Sequence, residues 1–474
     1  MMNAARNWLE SLRPYARKHE HACSNPYLYQ KNILKEVLSQ NCETVFGVDH
    51  QFASISSYDE FKAAVPVRRY QDFGPWMKRV LAGEDNILTR EKVIGFEQTS
   101  GSSGGRKVIP ITESFRKEMT VGIAGWMHQW KHHCPEVFSG PAYWSISPPS
   151  LDSSMTPAGV KIGMEDDTAY FPAESAQHLA GMLVLPKQGD DFFAATAEAL
   201  LECRDLASIS VWSPTFFLQL DQAVRSVQQD FQTWQQQWPN LQVLSCWTDA
   251  QAGVWMKDVR RSLGDVRVES KGLLATEGVS SVPDVNLNQC VMAAGSHLVE
   301  FMNAEGDCVM CDGANVGEHY EIVLTTAAGL YRYRTMDLMC IDAINGQGLP
   351  SLTFLGRAGR CSDLVGEKLT ENFVIECMQI SGAHGILSAE TRGYRFFTEN
   401  QIGTDQLEKE LCQNPYYAQA VKLGQLRPME VKLMKKGFQL DMIERRALAT
   451  GGRLGDVKIP SLLLAGEREG WFDL

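Results

Sequence analysis

The opening stretch MMNAARNWLESLRPYARKHEH spaces Ala5, Trp8, Leu9, Leu12 and Tyr15 three and four residues apart, the rhythm of an amphipathic helix. Through the first hundred residues such patterns, NPYLYQKNILKEVLSQ among them, alternate with Pro-bounded segments such as AAVPVRRYQDFGPW. An α-rich layer is predicted there. The rhythm then shortens to β-branched and apolar runs: KVIGFEQT, KVIPIT, AYWSIS near 142, SISVWS near 208, LQVLSCW near 241, KGLLAT near 271 and HYEIVLTT near 319. Each has the length and composition of a strand.

Helical stretches, DDFFAATAEALLECRDL and TFFLQLDQAVRSVQQDFQTWQQQW, lie between several of these runs. Strands alternating with helices predict an α/β core with a largely parallel sheet, whose ligands would sit at loops near strand ends. The turn-rich segment INGQGLPS, Ile344 to Ser351, is the best break in the second half. Beyond it TENFVIECMQI and TDQLEKELCQN read as helices and GYRFFTE and MEVKLMKKG as strands. The expected organisation is a large domain over 1–350 and a small α+β domain over 351–474.

Composition narrows the function classes. Hydrophobic residues at 44% and charged residues at 22% are those of a globular chain. The 45 basic residues are scattered against 57 acidic ones, a net charge of −12, which argues against a nucleic-acid partner. The most apolar window, LASISVWSPTFFLQL, contains serines, Trp212 and Pro214 and is too short to cross a bilayer. No secretion signal opens the chain, so a cytoplasmic location is expected. The twelve cysteines lack a disulfide-scaffold spacing and are read as reduced thiols, mostly buried. A monomer is the default expectation.

The richest chemical signal is FEQTSGSSGGRKVIPIT. The Walker spacing fails, because the fifth residue after Gly101 is Arg106, and the dinucleotide-fold glycine pattern fails too. What remains is a loop rich in backbone N–H groups and hydroxyls with Lys107 beside it, able to wrap a polyphosphate. A plain flexible hairpin loop has the same composition. Downstream, KGLLATEGVSSVP runs an apolar strand into Ala275, Thr276, Glu277 and Gly278. A carboxylate there is a hard-oxygen ligand suited to Mg²⁺, or a strand-terminal Glu facing water. In TTAAGLYRYRTMDLMCI, Asp337 follows an alternating Tyr-Arg run, where an acid can accept ribose hydroxyls.

These three segments, in this order, resemble the Gretchen Hagen 3 family of adenylate-forming acyl-acid amido synthetases. TSGSSGGRKVIPIT is similar to the family's phosphate loop, LLATEG to its second nucleotide motif and GLYRYRTMDLMCI to its third. The resemblance extends to FGVDHQFASISSYDEFKAAVPVRRYQDF, HLVEFM, FLGRAGRCSDLVGEKLTE and GDVKIP. The chain is shorter than the plant members, and LLATEG stands where they carry Tyr and Ser.

The resemblance implies an adenylate-forming N-terminal domain with mixed and parallel sheets and a mobile C-terminal lid. It implies an enzyme that uses ATP and Mg²⁺ to convert a small carboxylic acid to its acyl-AMP, then passes the acyl group to an amine, most simply an amino acid. By the same resemblance Thr99, Ser100, Gly101, Ser102, Ser103, Gly104 and Lys107 hold the phosphates, Ala275 and Thr276 lie along the adenine, and Gly278 is among the ATP-binding residues. Glu277 is assigned to Mg²⁺, Asp337 to the ribose, Arg357 to the ribose or hinge, Lys368 to a phosphate and Lys458 to adenylation. A thiol acceptor sharing the same first step, and a non-catalytic nucleotide-binding regulator, are the alternatives.

Candidates for the acyl pocket are Trp212, Ser213, Phe216 and Phe217 in SVWSPTFFLQL and Trp126 and Trp130 in GWMHQW, although aromatic residues at helical spacing more often form core than pocket. His128 and His132 lack the glutamate of a zincin, Cys308 and Cys311 form one C-x-x-C without a second half, and His19, His21 and Cys23 lie in a polar stretch expected to be exposed. No structural metal is expected.

Overall fold

The computed structural model describes residues 2–99, 107–144, 154–163, 168, 171–186, 191–450 and 457–472. The predicted N-terminal helix forms, Met2–Ser24, and packs along a second long helix, Glu113–His133. Thr112 starts the latter by accepting the Phe115 N–H at 3.1 Å, the usual hydroxyl cap. Trp8, Leu9 and Leu12 from one helix and Phe115, Trp126 and Trp130 from the other are buried in one cluster. Truncating any of these rings to Ala would cost on the order of 3–5 kcal/mol.

KVIGFEQT and KVIPIT become the antiparallel strands Gly95–Thr99 and Lys107–Ile111, with Thr99 opposite Lys107. A separate four-stranded sheet, Ala142–Trp144, Ser208–Ser210, Val243–Cys246 and Arg267–Ser270, is parallel throughout. Its two central strands are wholly buried, as expected when helices such as Phe192–Glu202 and Pro214–Val227 cover a parallel sheet.

Among the described residues that four-stranded sheet is the only one parallel throughout. The largest sheet has seven strands paired antiparallel, built around Leu298–Met302, His319–Thr325, Tyr333–Ile344 and Pro350–Arg357. In Tyr333–Ile344 buried and half-buried positions alternate, so one face enters the core and the other carries Arg334, Met336 and Leu338. The fold is mixed α/β.

Residue 350, the expected domain division, is the first residue of Pro350–Arg357, which is paired along its length with Tyr333–Ile344. The large unit therefore continues through Arg357. Beyond it, Glu430–Leu433, Gly393–Thr398, Gly385–Glu390 and Leu462–Leu463 form a four-stranded sheet. The helices Glu371–Ser381, Thr404–Leu411 and Phe438–Thr450 accompany it. Its two cores, around Phe396 and around Phe397, draw only on residues from Leu364 onward.

All twelve cysteines are free thiols, five of them buried and seven half-buried. His19 is buried rather than exposed: its ring fits against Gly125, and desolvation pushes its pKa down to about 4. Among the described residues no helix is long and apolar enough to cross a membrane.

Candidate active site

The antiparallel hairpin Gly95–Thr99 and Lys107–Ile111 brackets the Ser/Gly segment. Residues 100–106, and with them Ser100, Gly101, Ser102, Ser103 and Gly104, lie outside the described residues, and Thr99 is described only as the last residue of its strand. Lys107, first on the returning strand, marks where the loop ends. Its Nζ donates to the Tyr333 hydroxyl oxygen at 2.9 Å and to Glu277 Oε1 at 3.3 Å. Tyr333 in turn donates to Glu277 Oε1 at 3.2 Å. Burial and the Glu277 charge push the Tyr333 phenol well above its ordinary pKa, so it stays a donor.

Glu277 reaches this triangle from a tight hairpin. Ala275 pairs with Gly278, leaving Thr276 and Glu277 as the two turn residues between Leu274–Ala275 and Gly278–Val279. A side chain at position 278 would press to 3.0 Å on the His297 ring and a Leu324 methyl, so the turn packs closely there. Glu277 is buried, not a solvated strand end.

Asp337 and Arg357 are directly opposite each other on paired strands, and their side chains form an ion pair at 3.3 Å. Arg357 also donates to the Thr335 carbonyl at 3.0 Å, and the Asp337 N–H to Thr335 Oγ1 at 3.1 Å. Burial raises the Asp337 pKa, opposed first by Arg357 and next by Lys458. Met336, next to this acid, holds left-handed backbone at φ 68°, as does Arg332 at φ 49° earlier in the same segment, the kind of local strain that concentrates at functional sites.

Lys458 arrives from the C-terminal unit. Its ammonium lies 3.7 Å from the centroid of the Trp247 ring and close enough to Asp337 to act on its charge. Lys368 is placed differently. It is exposed, at φ 48°, in the turn between Cys361–Ser362 and Leu369–Thr370. Buried Glu367 fixes that turn by accepting the Leu364 and Val365 N–H groups, both at 2.8 Å.

Between the two units lies a cavity with about 900 Å³ of empty space, partly open to solvent. Trp247, Asp249 and Phe354 line it from the large unit, and Ile386, Ile443 and Lys458 from the small one. Of the acyl-pocket candidates, Ser213 lines it, as the cap of Pro214–Val227. Trp212 is half-buried, with its ring 5.7 Å from that of Trp247 and the Lys271 ammonium 4.6 Å from its centroid. The other four are core residues. Phe216 and Phe217 sit in the cluster beside the parallel sheet, and the Trp126 and Trp130 indoles donate to Glu269 Oε1 at 2.7 and 2.9 Å.

The sequence motifs thus mix site and support. In HLVEFM and GLYRYR, buried Glu300 accepts from Arg332 Nε at 3.0 Å and from Tyr58 at 2.8 Å, while Arg332 also donates to the Val65 carbonyl at 2.9 Å. This network ties the helix Tyr58–Ala64 to the sheet. Tyr333, Trp247 and Asp249 were not singled out by sequence reasoning. Only Tyr333 lay inside a recognised motif.

Comparison with known proteins bears on the family and the fold. The model of the GH3 family N-terminal domain matches residues 15–230 and that of the GH3 family central domain matches residues 290–357, ending at Arg357. A putative indole-3-acetic acid-amido synthetase of Oryza sativa subsp. japonica is 23% identical over 411 residues, which span 74% of this chain and 82% of the relative. A jasmonoyl–L-amino acid synthetase of Nicotiana attenuata is 21% identical over 534 residues, spanning 91% and 90% of the two chains.

Among solved structures, the GH3.15 acyl acid amido synthetase in complex with 2,4-DB superposes with a TM-score of 0.81 at 16% identity, covering all of this chain and 96% of the other. A 2-hydroxyisobutyryl-CoA ligase in its postadenylation state has a TM-score of 0.58 at 12% identity, over 93% and 89% of the two chains. The fold is therefore that of adenylate-forming enzymes, and with two family domains matching over more than half its length, the chain belongs to the GH3 family.

Proposed function

We propose that this protein is an ATP-dependent acyl-acid amido synthetase, which activates a small carboxylic acid as its acyl-AMP and transfers the acyl group to an amine, giving an amide, AMP and pyrophosphate. The observation that carries this reading is the convergence, from five separate segments, of Lys107, Glu277, Asp337, Arg357 and Lys458. The names of the relatives, amido synthetases of indole-3-acetic acid and of jasmonate, support the reaction class.

Attack of a carboxylate on the α-phosphorus builds negative charge on the nonbridging oxygens and the departing pyrophosphate, so cations must gather there. Lys107 stands at the end of the loop assigned to the phosphates, and Lys458 reaches the same region from the other unit. Asp337, held by Arg357 and by the Thr335 hydroxyl, would accept the ribose hydroxyls. The Thr276-Glu277 turn and Ala275 would lie along the base, and Lys368 would come to a phosphate only after its turn moved inward.

The residues present fit a magnesium ion that arrives with the nucleotide. Among the described residues no cluster of three His, Cys, Asp or Glu side chains could cage a metal, and Mg²⁺ characteristically takes one or two carboxylates plus phosphate oxygens and water. Glu277 would supply that carboxylate. The bound ion would neutralise charge on the phosphates, while Lys107 and Tyr333, the present partners of Glu277, hold its side chain in place.

The test is AMP and pyrophosphate release with ATP, Mg²⁺ and a panel of aromatic and aliphatic acids, with and without pooled amino acids, beside Lys458→Ala. Acid-dependent AMP formation that rises with amino acids, with an amide mass in the mixture, is the expected result. No acid-dependent pyrophosphate release from any acid would overturn the reading, and thioester formation with a thiol acceptor would replace its second half.

A further inference from the structure

The interdomain cavity contains a carboxylate that neither nucleotide binding nor adenylation uses. Asp249 follows the central parallel strand Val243–Cys246 by three residues, at the strand-end edge where open α/β sheets bind ligands. Among the described residues lining the cavity it is the one acid, and Lys458 the one lysine or arginine. The remaining wall is largely apolar, with Trp247, Trp255, Phe354, Ile386 and Ile443.

Its conformation is not that of a structural cap. Asp249 occupies the N-cap position of the 3₁₀ turn Ala250–Trp255, yet its side chain makes no capping hydrogen bond, although Asp is among the best residues for that task. The next residue, Ala250, has φ 49°, a left-handed conformation that disfavours a residue with a Cβ. The carboxylate instead accepts from Thr248 Oγ1 at 2.9 Å and, through its other oxygen, from the Phe354 N–H at 3.4 Å. A carboxylate has about four acceptor positions, so capacity remains for a further donor on the cavity side. Burial raises its pKa, with the Asp342 charge adding to the effect, the direction wanted in a proton acceptor.

We propose that Asp249 receives the acceptor amine, pairing with its ammonium in the cavity and taking a proton from it during acyl transfer. The inference rests on the amido synthetase reading and specifies its second half. An ammonium loses two protons on becoming an amide N–H. The first passes to Asp249 and frees the nitrogen lone pair, which forms the C–N bond at the acyl carbon. The second leaves as the tetrahedral adduct collapses: the bond from acyl carbon to phosphate oxygen breaks, its electron pair departs with AMP, and the proton goes to that phosphate or to water. A neutral thiol has no charge for this carboxylate to read, so Asp249 selects amines.

The experiment compares wild type with Asp249→Asn in two assays, using an acid identified by the panel above. One traps the acyl-AMP with hydroxylamine, which is uncharged and nucleophilic at neutral pH. The other measures amide formation with pooled amino acids. Asn keeps an oxygen for Thr248 and the Phe354 N–H while deleting the charge. Amide formation should fall about 10²-fold, the usual weight of a general base, while hydroxamate formation stays within about threefold of wild type.

Hydroxamate also reports folded, adenylating enzyme, so loss of both products together would make Asp249 structural and overturn the proposal. Equal retention of both would overturn it as well. If wild-type protein yields no acid-dependent hydroxamate at all, the amido synthetase reading itself fails and this inference with it. Hydroxamate together with a thioester, but no amide, would overturn the amine-receiving role alone.

Discussion

The Lys458 ammonium sits 3.7 Å from the centroid of the Trp247 indole, joining the C-terminal unit to the end of a buried strand of the large one. Trp247 lies against Trp212 at an interplanar angle of 44°, and the Lys271 ammonium lies over Trp212, so two lysines bracket two tilted indoles. A cation over an aromatic face gains about 0.5–2 kcal/mol. This contact therefore contributes to holding Lys458 beside Asp337.

Two substitutions separate the charge from its platform. Lys458→Ala removes a cation worth roughly 3 kcal/mol in the transition state and should slow acid-dependent AMP formation by about 10²-fold or more. Trp247→Ala should slow it by about 2- to 30-fold, the range of the lost contact, with Trp247→Phe recovering much of the difference. Steady-state rates at saturating ATP make the comparison. An unchanged rate in Trp247→Ala would assign the indole to the cavity wall alone.

The Glu300–Arg332 pair makes the opposite prediction, for stability rather than rate. Glu300 is fully buried and Arg332 nearly so, and the network they share with Tyr58 and Val65 joins helix to sheet. Glu300→Gln leaves the guanidinium without a full counter-charge, and breaking such a pair costs about 3–5 kcal/mol. Denaturant unfolding should show that loss, while the activity per folded molecule is retained. A rate defect without a stability defect would move the pair from support to catalysis.

How far the sequence announced these features depended on whether the signal was local. The hairpin around the Ser/Gly segment was legible because both of its strands are short β-branched runs, and Glu277 and Asp337 because each ends a recognisable segment. Tyr333 joins Lys107 and Glu277 only through the folding of three distant segments, which no local pattern displays. Trp126 and Trp130 have the helical spacing that a pocket and a core share, and Glu269, more than a hundred residues away, settles them in the core. The antiparallel sheet was foreshadowed by the alternation in YRYRTMDLMC, the pattern of strands with one half-exposed face. Strand and helix alternation elsewhere in the chain outweighed that signal. His19 was misjudged because its sequence neighbours are polar, whereas Gly125 makes room for its ring in the core.

Glu269 also predicts a pH dependence. Burial raises its pKa above the ordinary 4.5, opposed by the Trp126 and Trp130 N–H groups and by Arg267, whose guanidinium is 2.9 Å away. A carboxyl group whose pKa is higher folded than unfolded contributes stability below the unfolded value and loses it as pH rises through the folded one. Glu269→Gln lacks that titration. Thermal unfolding of the two proteins should therefore favour wild type most below pH about 4.5 and progressively less toward neutrality. A constant difference would mean that folding leaves the Glu269 pKa unshifted, and one that widens in favour of wild type with rising pH would mean the carboxylate is stabilised in the fold.

Glu277 provides the most direct test of the proposed nucleotide site. Its Oε1 accepts from both Lys107 and Tyr333, so Glu277→Gln keeps a side chain of the same shape and an oxygen for both donors. Only the charge is lost. If that charge serves a metal arriving with ATP, the Mg²⁺ concentration for half-maximal AMP formation should rise by about 10- to 100-fold, the usual cost of weakening a metal site. Part of the rate should return at high Mg²⁺, because the phosphates and water supply the other ligands. A purely structural role gives a different titration, in which the maximal rate falls in proportion to lost stability and the Mg²⁺ midpoint stays where it is in wild type. Measuring both quantities on one preparation, with the melting temperature alongside, decides whether the Lys107–Tyr333–Glu277 triangle is a metal-linked site or a clasp between hairpin and sheet.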